Sequence, residues 1–74
     1  MKAKLYDVVK TKVKLSQDRL IEGDNDLDIG SKGTVIEVFE NPTEGYDVEF
    51  VNEDGNTIGI CNLKPEEFNL VNRE

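Results

Sequence analysis

The sequence predicts an all-β fold, and three observations carry that reading. Residues 34–39 (TVIEVF) and 46–51 (YDVEFV) are short runs rich in apolar and β-branched residues, separated by the turn-forming ENPTEG of residues 40–45. A second turn, Asn52-Glu53-Asp54-Gly55, leads into a third run at residues 57–61, which completes a three-stranded meander. Ahead of the meander, residues 5–15 (LYDVVKTKVKL) alternate with period two, as a strand with one wet face does.

In order along the chain, the first strand puts Leu5, Val9, Thr11, Val13 and Leu15 on one face and Tyr6, Val8, Lys10, Lys12 and Lys14 on the other. Lysines on the outer face discourage edge-to-edge pairing. Residues 16–28 (SQDRLIEGDNDLD) are polar, and Gly23, Asn25 and the aspartates break any period. They form a long first loop, anchored by Leu20 and Leu27, with room for a short helical turn near residues 17–21. Gly30-Ser31-Lys32-Gly33 launches the second strand, and its glycines permit the turn. In the third strand Tyr46, Val48 and Phe50 point one way and Asp47, Glu49 and Val51 the other. A one-residue slip there would put acids in the core, so the register is well defined. Phe39, Phe50 and Phe68 are assigned to the core. Asp54-Gly55 supplies the positive φ of a tight hairpin, and Gly59 in the fourth strand marks a bulge or a close backbone approach. Pro65 followed by Glu66 and Glu67 is a helix-start arrangement. Only one 3-10 turn fits before a short closing strand at Leu70-Val71.

This order of elements resembles an SH3-like barrel of about five strands, with a long first loop and a 3-10 turn before the last strand. Residues 28–35 (DIGSKGTV) are similar to the G-x-x-G-x-V with which the second strand of many small barrels begins. Residues 64–68 (KPEEF) are similar to the turn before their last strand. The chain more closely resembles a family of small uncharacterised bacterial proteins, a domain of unknown function. Its members open with LYD-V-V and continue with G-x-x-G-T-V, Y-x-V-E-F-V, D-G-x-T-I and L-K-P-x-x-(F/L). Here these are residues 5–9, 30–35, 46–51, 54–58 and 63–68. The resemblance implies a single SH3-like β-barrel domain over residues 1–74 and no mechanism.

Composition narrows the functional classes. A chain of 74 residues buries only about 60% of its unfolded surface, which leaves no room for a large cofactor. A single cysteine, Cys61, excludes an internal disulfide and points to a reduced, cytoplasmic setting. No apolar run of signal-peptide or membrane-span length is present. The net charge is −7, distributed unevenly. Residues 1–14 hold five lysines against one acid, a local +4, and the rest holds four bases against fifteen acids, a local −11. Such an acidic body is repelled by phosphate backbones and suits a basic protein partner.

Catalysis has little to work with: there is no histidine, and Cys61 has no histidine partner. The expectation is no enzyme activity and no cofactor. Asp24, Asp26 and Asp28 match the first ligand positions of a calcium loop, but Ile29 stands where glycine belongs and Val35 where the bidentate glutamate belongs, so no metal site is expected. Gly30-Ser31-Lys32-Gly33 is followed by a strand, not by the helix a phosphate loop needs. With no tryptophan and two tyrosines, an aromatic groove for proline-rich ligands is not expected. The functional expectation is a cytoplasmic protein-protein interaction module, monomeric or weakly self-associating, that does not bind membranes. Its candidate contact residues are Glu22, Asp24, Asp26 and Asp28, and an antitoxin- or immunity-like neutraliser of a basic partner is the concrete form. The alternative is nucleic-acid contact through the lysine face of the first strand, Tyr6, Lys10, Lys12 and Lys14.

Overall fold

The first strand of the computed structural model, which describes residues 1–71, is much shorter than the alternation implies. β1 is Val8–Thr11. Tyr6 has a φ of 72°. The turn that it forms from Lys4 to Asp7, closed by the Asp7 N–H on the Lys4 carbonyl at 3.0 Å, keeps residues 5 and 6 out of the strand. Leu5 is consequently exposed and not part of the core. At the other end the Thr11 hydroxyl donates to the Val13 carbonyl at 2.8 Å and accepts from the Val13 N–H at 3.2 Å. These local bonds replace the ladder and bend the chain. Of the expected inner set, Val9, Thr11 and Leu15 are fully buried and Val13 partly so.

The long first loop contains a 3-10 turn, Gln17–Arg19, and a short strand, β2, Leu20–Glu22. Its base is closed by Leu15 and Leu27, whose backbones exchange two hydrogen bonds at 2.8 Å. Then follow β3 (Lys32–Phe39), β4 (Gly45–Val51), β5 (Thr57–Leu63), a 3-10 turn at Pro65–Glu67 and β6 (Phe68–Leu70). The fold is all-β, as expected. Among the described residues it has six strands, because Leu20–Glu22 pairs with β5, and the closing strand starts at Phe68 and not at Leu70.

All pairings are antiparallel in one open sheet of order β2-β5-β4-β3-β1-β6. In a flat sheet β5 and β6 would lie roughly 19 Å apart, at about 4.8 Å per strand. Lys64 and one 3-10 turn join them, and such a turn rises only about 2 Å per residue. The sheet therefore curls until its two edges, β2 and β6, approach each other. Glu67 holds the gap. Its carboxylate takes a two-pronged hydrogen bond from Arg19, just before β2, at 2.9 and 3.1 Å, and its carbonyl accepts the Lys12 N–H, just after β1, at 2.8 Å.

The concave face of the curl is the core. Val9, Val35, Tyr46, Val48, Phe50, Cys61, Leu63 and Phe68 are fully buried. Gly33 of β3 packs tightly against β4: a Cβ there would lie 2.5 Å from Val48 Cγ1 and 2.8 Å from the Glu49 carbonyl. Phe39 is a correction to the sequence expectation. Strict alternation from Val35 would turn Glu37 and Phe39 inward. An extra residue in β3 between Val35 and Glu37 shifts the register, so Val38 packs against the core, while Glu37 and Phe39 face solvent. β5 carries a second irregularity between its Gly59 and Thr57 pairings, where a glycine was expected to mark one.

The basic N-terminus is a clasp. The Lys2 ammonium donates to the carbonyls of Pro65 (2.7 Å) and Phe68, and lies 4.6 Å from the centroid of the Phe68 ring. The hydroxyl of buried Tyr46 accepts the Lys2 N–H at 2.9 Å and donates to the Glu44 carboxylate. Tyr46 in turn meets Phe68 edge to face at 5.3 Å. Its hydrogen bond to Glu44 pulls that carboxyl below its ordinary value, and burial pushes the phenol up.

Candidate functional site

Residues paired directly across a ladder share a side of the sheet. On the convex side, Glu37 of β3 is opposite Asp47 of β4, and Asp47 is opposite Asn62 of β5. One row on, Glu49 of β4 is opposite Ile60 of β5, which is opposite Glu22 of β2. Four acids from three strands thus share one surface. Asn62 Nδ2 donates to Asp47 at 2.9 Å, and the Thr57 hydroxyl to Glu49 at 2.7 Å. The ion pairs among the described residues are Lys14–Asp26 and Arg19–Glu67, so none of these four acids is neutralised by a base.

The four loop carboxylates singled out in the sequence separate in space. Glu22 and Asp24 line a hollow closed by Thr57 and Ile58, so they continue the acidic face past Glu49. Asp26 turns back on the loop: it accepts the Gln17 N–H at 2.7 Å and lies 3.6 Å from the Lys14 ammonium. Asp28 is exposed at the start of the turn into β3, where its carbonyl accepts the Ser31 hydroxyl at 2.8 Å. At the other end of the acidic face, Phe39, Ile21 and Pro42 wall a shallow groove of about 420 Å³ beside Asp47 and Asn62.

The lysine set is also dispersed. Lys10 is on the convex side, opposite Lys32 on β3 and Asn69 on β6. Lys12 lies beyond the end of β1, Lys14 is engaged by Asp26, and Tyr6 sits in the turn before the strand. Glu37, Asp47, Glu49 and Lys32 complete the two charged surfaces and were not candidates from the sequence. The alternation of β4 marks Asp47 and Glu49 as outward. For Glu37 the signal was a conflict, since placing Phe39 inside also places an acid inside.

Cys61 is fully buried, its Sγ 3.6 Å from the Arg19 carbonyl, and burial pushes its thiol up, away from the thiolate. Among the described residues, no cluster of three or more His, Cys, Asp or Glu side chains is arranged to hold a metal ion. No helix among them is long and apolar enough to cross a membrane.

Neither the curated proteins nor the solved structures contain a chain that matches this one. The family described as a domain of unknown function (DUF4926) matches residues 5–70. The chain belongs to that family.

Proposed function

We propose that the protein is a non-catalytic interaction module that receives a basic protein surface on its convex acidic face, formed by Glu22, Asp24, Glu37, Asp47 and Glu49. The observation that carries this is the direct opposition of Glu37 and Asp47 across the ladder. Like charges in that position are destabilising, and no base among the described residues offsets them. A cationic partner would. The net charge of −7 adds long-range attraction for such a partner, and stoichiometric neutralisation of a basic protein, as by an antitoxin or immunity protein in a bacterial cytoplasm, is the form that suits so small a domain.

The test uses a short peptide of alternating arginine and serine as probe. Glu37→Gln, Asp47→Asn and Glu49→Gln together should slow its association about tenfold at low salt, with a flatter salt dependence. A control with the same change in net charge, Asp18→Asn, Asp28→Asn and Glu66→Gln, should change it much less. Equal effects of the two variants would mean that only net charge matters, and that there is no docking face.

The Lys10–Lys32 opposition supports a second reading by the same logic: contact of this corner with nucleic-acid phosphates. Single-stranded RNA binding that is steeply salt-dependent and lost in Lys10→Gln/Lys32→Gln would favour it over the first.

A further inference from the structure

Residues 1–4 join no strand and are held to the body by a few discrete anchors. The Lys2 ammonium sits on the Pro65 and Phe68 carbonyls and over the Phe68 ring. The Lys2 N–H is shared between the Tyr46 hydroxyl at 2.9 Å and the Glu44 carboxylate at 3.0 Å. Ala3, only 4% exposed, donates its N–H to the same hydroxyl at 3.3 Å. The turn that joins this arm to β1 is a strained hinge. Tyr6 has a φ of 72°, a left-handed conformation that a bulky side chain adopts only under strain. Its side chain is 70% exposed, so burial does not offset that strain. Two bonds close the turn, from the Asp7 N–H to the Lys4 carbonyl and from the Lys4 N–H to the Asp7 carboxylate, both at 3.0 Å. Water replaces such bonds at small net cost when the turn opens. A short hinge under strain, carrying a separately anchored segment, invites exchange of that segment between identical chains.

We propose that two copies of the chain associate by exchanging residues 1–4, so that Lys2 and Ala3 of each copy enter the receptor that Glu44, Tyr46, Pro65 and Phe68 form on the other. The receptor itself selects this occupant. It is already filled by this segment, so the arm of a second copy repeats every contact that the first makes. Exchange therefore leaves the anchors unchanged, and the equilibrium is decided at the hinges, where both Tyr6 residues leave the left-handed region. Extended backbone suits tyrosine. Reciprocal exchange closes on a two-fold axis and stops at the dimer. The net charge of −7 on each copy opposes association at low salt and is screened at high salt. The exchange does not depend on what the acidic face binds.

Sedimentation of the full chain at high salt, up to millimolar concentration, measures the monomer–dimer equilibrium. Tyr6→Gly, which adopts a positive φ freely, favours the closed arm and should raise the dissociation constant about tenfold. Tyr6→Val, of the β-branched type that tolerates a positive φ least, should lower it by about the same factor. In dimers of isotope-labelled and unlabelled chains, nuclear Overhauser contacts should join Lys2 of one copy to the Phe68 ring of the other, because that ring lies 4.6 Å from the ammonium in the closed arm. A parent chain that stays monomeric at millimolar concentration would overturn the proposal. So would a dimer without Lys2–Phe68 contacts between copies, or a loss of affinity in both variants, since either result describes surface association through the exposed Tyr6 ring or another patch. If Tyr6→Val does not fold, Tyr6→Gly and the contacts between copies of the parent decide the question.

Discussion

Glu37 stands directly opposite Asp47 on the convex side of the β3–β4 ladder, and it does so because one extra residue in β3 reverses the strand's alternation after Val35. The same irregularity turns Phe39 outward and Val38 inward. A single local feature of β3 thus adds Glu37 to the acidic face and supplies one wall of the groove beside it.

The opposition has a stability consequence. Glu37→Lys replaces a repulsive cross-strand pair by an attractive one and should stabilise the protein by about 0.5–1 kcal/mol. At about 4–8 °C per kcal/mol for a domain of this size, thermal melts at low salt will resolve the gain. In 1 M salt, where the screening length is about 3 Å, most of it should vanish. A melting temperature below that of the parent at low salt would contradict the assigned register.

The two phenylalanines of the meander should behave oppositely. Phe50 is fully buried and Phe39 is 40% exposed. Phe50→Ala should cost about 3–5 kcal/mol, enough to unfold most of a marginal domain, whereas Phe39→Ser should stay within about 1 kcal/mol of the parent. Comparable losses in urea denaturation would place Phe39 in the core, as strict alternation has it.

Much of the fold was legible in the residues themselves. Tyr46, Val48 and Phe50 alternate with acids and are all buried, and Pro65-Glu66-Glu67 forms the 3-10 turn that its composition implies. What was hidden arises from tertiary competition. Leu5-Tyr6 looks like strand, but the left-handed Tyr6 turn takes it away. Leu20-Ile21-Glu22 is too short to declare itself and becomes a strand only because β5 offers an edge. The candidate surface was half visible: Glu22 and Asp24 were found by local density of charge and the alternation of β4 turns Asp47 and Glu49 outward, whereas Glu37 and the neighbours that these acids meet follow from the β3 irregularity and from pairing between strands, which no local pattern specifies.

Gly33 tests the tight packing of β3 against β4. A Cβ at 2.5 Å from Val48 Cγ1 and 2.8 Å from a backbone carbonyl has nowhere to go. Gly33→Ala should therefore destabilise by about 1–3 kcal/mol, the usual cost of overpacking. Equilibrium unfolding of the variant will show it, and a neutral result would mean that β3 and β4 are farther apart than described.

The Arg19–Glu67 clamp across the open side of the sheet should shape the acid limb of stability. The hydrogen bonds from Arg19 hold the Glu67 carboxyl below its ordinary value. Its contribution is therefore fully present above the unfolded glutamate value of about 4.3 and is lost as pH falls through the lower folded value. Glu67→Gln should lower the melting temperature at pH 7 and converge with the parent below pH 3. Because the pair is partly exposed, its worth is about 1 kcal/mol or less. A pH-independent difference would assign the effect to packing rather than charge.

The acidic face as a docking surface is tested most directly by amide chemical-shift mapping of the isotope-labelled chain during titration with the arginine–serine peptide. The account predicts saturable shifts concentrated at Glu22, Asp24, Glu37, Asp47 and Glu49, with little change at Asp26 and Asp28. Shifts confined to Asp26 and Asp28, or spread evenly over every acid in the chain, would contradict it.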